Sequence, residues 1–174
     1  ALAAVTLIFG ASASLAAGET AVTITGVSVA GKTYDGTPAE ASGTPVAKDG
    51  DTTVTISSGD YVYTYSSTDG GGYSSATPPT NAGDYKLVVS VSNGTYAGQS
   101  ADIPFTIAKA AITVLPAVSI SRTAGLSNPA FAYTSSGAVS GQTPAFTGSL
   151  AGDAGTASME GVYSITLGTL ALAD

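Results

Sequence analysis

Asn81-Ala82-Gly83-Asp84-Tyr85-Lys86-Leu87-Val88-Val89-Ser90-Val91-Ser92 decides the fold class. From Tyr85 onward the apolar side chains fall on every second residue, so Tyr85, Leu87, Val89 and Val91 share one face of an extended chain, the pattern of a half-buried strand. A second run, Tyr61-Val62-Tyr63-Thr64-Tyr65, alternates in the same way and puts three tyrosine rings on one face. Helical periodicity is sustained almost nowhere, and runs of Val, Ile, Thr and Tyr recur between Gly, Pro, Asn and Asp clusters. Further strands are expected at Val5–Phe9, Ala21–Val29, Thr52–Ile56, Ile103–Ile107, Ile112–Leu115, Ala130–Thr134 and Gly161–Thr166. Between them, Asp35-Gly36, Asp49-Gly50, Asp69-Gly70 and Asn93-Gly94 supply the positive-φ positions that tight hairpins require. The protein is therefore mainly β.

Composition removes whole classes of function. The chain has 174 residues, 22 of them Gly, with no Cys, His or Trp and a net charge of −7. Without His or Cys there is no imidazole acid or base, no thiolate nucleophile and no nitrogen- or sulfur-ligated metal. Five basic residues, Lys32, Lys48, Lys86, Lys109 and Arg122, are too few and too scattered to track a phosphate backbone, so nucleic acid is excluded as a partner. Ser and Thr, about a quarter of the residues, hydrate the surface in place of charge. Stability has to come from strand packing, since no disulfide can form.

Punctuation along the chain divides it into three parts. A module spans 21–110 and closes with Ile103-Pro104-Phe105-Thr106-Ile107; a second spans 111–174 and opens with Ile112-Thr113-Val114-Leu115-Pro116. Residues 1–20 stand before both. Within them Val5, Leu7 and Phe9 alternate as an assembly strand from, or for, a neighbouring module. The other reading of that stretch is the apolar region of a signal peptide; it is too short and interrupted to span a bilayer, which takes ~20 apolar residues. The two modules echo each other: Gly83 and Tyr85 before one β run match Gly161 and Tyr163 before another. Two-sheet sandwiches would bury such strands, and a smaller grasp-like sheet with a short helical turn around 141–150 is the alternative for the second module.

These points, with Tyr34-Asp35-Gly36 near the head of the first module, resemble the YDG and MBG (mostly beta, glycine-rich) repeats of large bacterial surface proteins. The first module also carries Asn81-Ala82-Gly83-Asp84-Tyr85, Tyr96-Ala97-Gly98 and the closing Phe105-Thr106-Ile107-Ala108-Lys109-Ala110. The second is similar to the MBG pattern at Ala124-Gly125-Leu126-Ser127-Asn128-Pro129-Ala130-Phe131, Gly141-Gln142-Thr143, Phe146-Thr147-Gly148-Ser149-Leu150, Glu160-Gly161-Val162-Tyr163-Ser164-Ile165 and Gly168-Thr169-Leu170. The resemblance implies extracellular, non-catalytic repeats of a cell-surface adhesin or stalk, with adjacent repeats or copies of the same chain as partners. It also implies that the second module lacks its last strand; two readings of that open edge are that the N-terminal strand of another copy completes it and that the chain is an excerpt from a longer array.

Rival chemistries rest on particular residues. Tyr61, Tyr63, Tyr65 and Tyr73 would stack on sugar rings if exposed and coplanar, making a carbohydrate-binding module with host glycans or surface proteins as partners; a spacer buries the same rings. Asp49 and Asp51 could gather round Ca²⁺, although the regular Asp-x-Asp-x-Asp-Gly loop is absent, and no other cofactor is expected. Tyr34, Asp35, Gly36, Asn81, Gly83, Tyr85, Gly161 and Tyr163 are read as structural: Asp35 caps a turn and the glycines allow sharp bends. Twelve acidic residues scattered mostly in turns mark out no catalytic pair. The expected function is a structural or adhesive repeat at the bacterial cell surface, with sugar binding and a strand-exchanging filament as alternatives.

Overall fold

The computed structural model describes residues 18–117, 120–139 and 141–173. The expected strand Val5–Phe9, with Val5, Leu7 and Phe9, lies outside them. The chain divides after Lys109 into two compact units. In chain order the first holds β1 (Thr20–Val29), β2 (Lys32–Thr33), β3 (Ala41–Asp49), β4 (Thr52–Val54), a 3₁₀ turn (Ser58–Asp60), β5 (Tyr61–Ser67), β6 (Ser74–Ser75), β7 (Gly83–Ser92), β8 (Tyr96–Ser100) and β9 (Ile103–Ala108).

β7 is the centre of this unit. One edge pairs with β5 along its length, from Tyr61 opposite Val91 to Ser67 opposite Tyr85. The other edge changes partner halfway: β9 takes Gly83 to Leu87, and β8 takes Ser90 to Ser92. At the changeover the Val89 N–H donates to the Ser100 Oγ at 3.0 Å, and Ser100 is buried. A hydroxyl there satisfies a backbone donor that would otherwise be buried at considerable cost. From β8 the sheet continues to β1, β3 and β4, and β2 flanks β9, giving nine strands joined in one hydrogen-bonded system. Tyr85, Leu87, Val89 and Val91 of β7 meet Val22 and Ile24 of β1, Tyr65 of β5 and Phe105 and Ile107 of β9 in one core. Leu87 and Val89 are fully buried, each worth about 1.5–3 kcal/mol relative to exposure.

Besides short two-residue strands, β3 and β8 escape the sequence reading, for identifiable reasons. β3 contains Gly43 and Pro45, which read as a turn. In the structure the pairing with β1 shifts between Thr25 and Val27, a bulge at which Gly26 and Gly43 both take positive φ, 86° and 88°. The bulge accommodates a residue that cannot donate to the ladder. β8 runs parallel to β1 with Gly98 opposite Val22. A Cβ at Gly98 would run into the Val22 carbonyl, so close backbone approach explains a glycine that looks like a breaker.

The second unit holds β10 (Thr113–Pro116), β11 (Tyr133–Ser136), β12 (Phe146–Thr147), β13 (Ala151–Gly152), β14 (Ile165–Thr166) and β15 (Ala171–Leu172). They form three two-stranded antiparallel ladders: β10–β11, β12–β15 and β13–β14. Leu150 and Leu170 are its buried apolar side chains among the described residues. The helical turn weighed for 141–150 is replaced by a turn at Gly141 (φ 83°) followed by β12. The strand expected over Gly161–Thr166 is regular only at β14, and that expected at Ala130–Thr134 is displaced to β11. Among the described residues no helix is long and apolar enough to cross a membrane.

Candidate functional site

The Tyr34-Asp35-Gly36 turn follows β2 directly. Asp35 Oδ1 accepts from the Thr37 N–H (2.9 Å) and Thr37 Oγ1 (2.8 Å), and pairs with Lys32 Nζ at 2.7 Å. Gly36 takes φ 80°, and the Tyr34 N–H donates to the Ala108 carbonyl at the end of β9. The Lys32 ammonium, then the Thr37 donors, hold the Asp35 carboxyl at about 2, against an ordinary 3.8. These contacts fasten the turn to the last strand of its own unit.

The echo between the units is a shared piece of geometry. The Tyr85 hydroxyl donates to the Asn81 carbonyl at 3.0 Å, and the Tyr163 hydroxyl donates to the Met159 carbonyl at 2.8 Å. Each is a tyrosine corner, in which a ring at a strand's entrance reaches back to the backbone a few residues upstream. Gly83 and Gly161, two residues before the rings, lie under them: a Cβ at Gly83 would stand 3.2 Å from the Tyr85 hydroxyl, and at Gly161 3.6 Å from that of Tyr163. Around Tyr85 the corner is enclosed. Its ring stacks on Phe105 (5.6 Å, 21°) and meets Tyr73 edge-on (5.8 Å, 85°). Asp69 adds a clamp, its Oδ1 accepting from the Gly71 N–H at 3.0 Å and its Oδ2 from the Asp84 N–H at 3.3 Å; those two N–H groups lower its pKa. Burial pushes the Tyr85 phenol above its ordinary value.

The tyrosine row of β5 faces the same way as the core face of β7. Tyr65 is 2% exposed and meets Phe105 edge-on, while Tyr61, Tyr63 and Tyr73 are half-buried and packed against the core. Tyr73 spends its hydroxyl on the Thr77 carbonyl. The four rings thus serve as wall and floor of the inter-strand core and do not form a flat exposed platform. Asp49 ends β3 and Asp51 follows it in the hairpin to β4, both exposed. Among the described residues no three His, Cys, Asp or Glu side chains gather to hold a metal ion.

A groove of about 720 Å³ opens in the second unit, lined in part by Ile120, Phe131, Met159, Val162, Tyr163 and Ile165. Arg122, on its wall, donates to the Leu126 and Gly155 carbonyls and so ties two loops together. Sequence reasoning missed the groove, the Asp69 clamp and Ser100. The first depends on which strands pair among the described residues, and the others on partners at Asp84 and Val89 that lie well away in sequence.

The corner at Tyr163 falls within the part of the chain that matches a known family: residues 112–174 match the family described as the MBG domain (YGX type). The second unit is thus similar to MBG repeats, as its Gly-x-Tyr and Gly-Thr-Leu signatures imply. No curated protein and no solved structure matches the chain.

Proposed function

We propose that this chain is a non-catalytic segment of tandem β repeats in a bacterial cell-surface protein, serving as a stalk or adhesive spacer. The observation that carries the reading is the tyrosine corner repeated in both units, one of them matching the MBG domain. A corner that pins the backbone to itself is a device for rigidity, and its reuse suits a part whose task is to hold distance. The inward placement of the β5 tyrosines supports a spacer over a sugar platform, since stacking on a glycan needs the ring faces free.

The test is surface proteolysis of intact cells that produce the protein. Release of its peptides before lysis supports the reading, and release only after lysis refutes the surface location.

A further inference from the structure

The two corners sit in frames that correspond residue by residue. In the first unit Leu87 lies opposite Tyr65 of β5; in the second the equivalent Ile165 lies opposite Gly152 of β13. β13 therefore takes the place of β5, and the correspondence extends outward. The Ser164 carbonyl accepts from the Asp153 N–H just beyond β13, where the first unit sets Lys86 opposite Ser66. Because successive residues of a strand direct their backbone groups to opposite edges, Ile165 presents its groups to the other side, and Gly161 to Ser164 lead into it without regular strand pairing.

In the first unit that other edge is covered by β9. Ile107, Phe105 and Ile103 stand opposite Gly83, Tyr85 and Leu87, and Phe105 lies flat on the Tyr85 ring. In the second unit no strand pairs with that edge among the described residues. Tyr163 is 43% exposed where Tyr85 is 6%, Val162 and Met159 are open to solvent, and the groove described above runs alongside. An uncovered edge next to apolar surface is a template for strand addition.

We propose that the edge of residues 161–165 is a strand-acceptor site, and that its occupant is residues 5–9 of a second copy of this chain. Val5-Thr6-Leu7-Ile8-Phe9 repeats the spacing of Ile103-Pro104-Phe105-Thr106-Ile107, apolar at the first, third and fifth positions with an aromatic among them. Laid antiparallel in the register of β9, Phe9 faces Gly161, Leu7 faces Tyr163 and Val5 faces Ile165. The largest donor side chain then lies over the residue that has none. The donor carries no charge, so it enters a groove of mixed lining, Arg122 and Glu160 included, without repulsion.

The test compares the full chain with its Leu7→Asp and Val162→Lys variants. Light scattering over a range of concentrations gives the mass, and hydrogen exchange gives the protection of the Tyr163 and Ile165 amides. Full chain is expected to rise above the 16.8 kDa of one copy as concentration increases. Exchange at Tyr163 and Ile165 slows roughly tenfold or more in step with that rise, the amides being taken out of solvent-exposed openings. L7D, with a charge in the donor, and V162K, with a charge at the edge of the acceptor, are expected to stay at the single-copy mass with both amides unprotected. A full chain that remains single at every concentration overturns the proposal, whether or not Tyr163 is protected, since protection without association means that the occupant comes from the same copy. Association of L7D as strong as that of the full chain overturns it as well. Surface location plays no part in these readouts, so the proposal fails or stands separately from the stalk reading.

Discussion

Removing the two corner rings in turn should separate what the corner itself contributes from what its cover contributes. Tyr85→Phe and Tyr163→Phe delete the same hydrogen bond, to Asn81 and to Met159, and each should cost about 1 kcal/mol. Truncation to alanine should split them. Tyr85 is 6% exposed, between Phe105 and Tyr73, so Tyr85→Ala gives up nearly the whole ring burial and leaves a cavity in the core, costing roughly 3–5 kcal/mol. Tyr163 is 43% exposed and has no ring partner among the described residues, so Tyr163→Ala should cost roughly 2 kcal/mol in the single copy. In a unit of this size each kcal/mol moves the melting temperature by about 4–8 °C. The assay is urea unfolding read by hydrogen exchange on peptides from β7 and from residues 161–166, so that each unit reports on itself, at a concentration where the chain is single. Equal losses for Tyr85→Ala and Tyr163→Ala would refute the claim that the covering strand supplies the difference, and no loss on Tyr85→Phe would refute the corner bond.

Two further outcomes follow from the first unit. The Asp35 carboxyl sits at about 2 when folded against 3.8 ordinarily, so its ion pair and turn bonds stabilise the fold above the ordinary value and are lost as pH falls through about 2. Asp35→Asn should therefore lower the urea midpoint near neutral pH, the gap from the native chain closing between those two values; a gap independent of pH would show that the carboxylate charge is irrelevant. Ser100→Ala leaves the Val89 N–H buried without a partner and should cost about 1–3 kcal/mol, with faster exchange at Val89 itself as the local sign.

Legibility in the sequence followed the range of the interaction. Strict alternation located β7 and β5 because a strand with one buried face writes its period into adjacent residues. The Gly-x-Tyr echo was legible for the same reason, as Gly and Tyr lie two residues apart, but the bonds from the two hydroxyls back to the Asn81 and Met159 carbonyls were not read from it. β3 and β8 were not, because Gly26, Gly43 and Gly98 are explained only by a strand arriving from elsewhere in the chain. Alternation placed Tyr61, Tyr63 and Tyr65 on one face, but whether that face was core or surface depended on β7 lying beside it with its own apolar side turned the same way. The groove was least legible of all. Among the described residues it borders an edge that no strand pairs, and only the filled counterpart in the first unit makes that edge recognisable.

The energetics of filling that edge bear on what the protein is for. Ordering five donor residues costs roughly 5–10 kcal/mol in backbone entropy alone. Burying Val5, Leu7 and Phe9 returns roughly 1.5–3 kcal/mol each, and the ladder bonds about 1 kcal/mol apiece. The return exceeds the ordering cost by a few kcal/mol, and against that surplus stands the cost of bringing two free molecules together. Strand addition between free copies therefore depends on concentration, and tethering copies side by side strengthens it by replacing that cost with a high effective concentration. With Leu150 and Leu170 as its buried apolar side chains among the described residues, the second unit has much apolar surface left for such an added strand to cover.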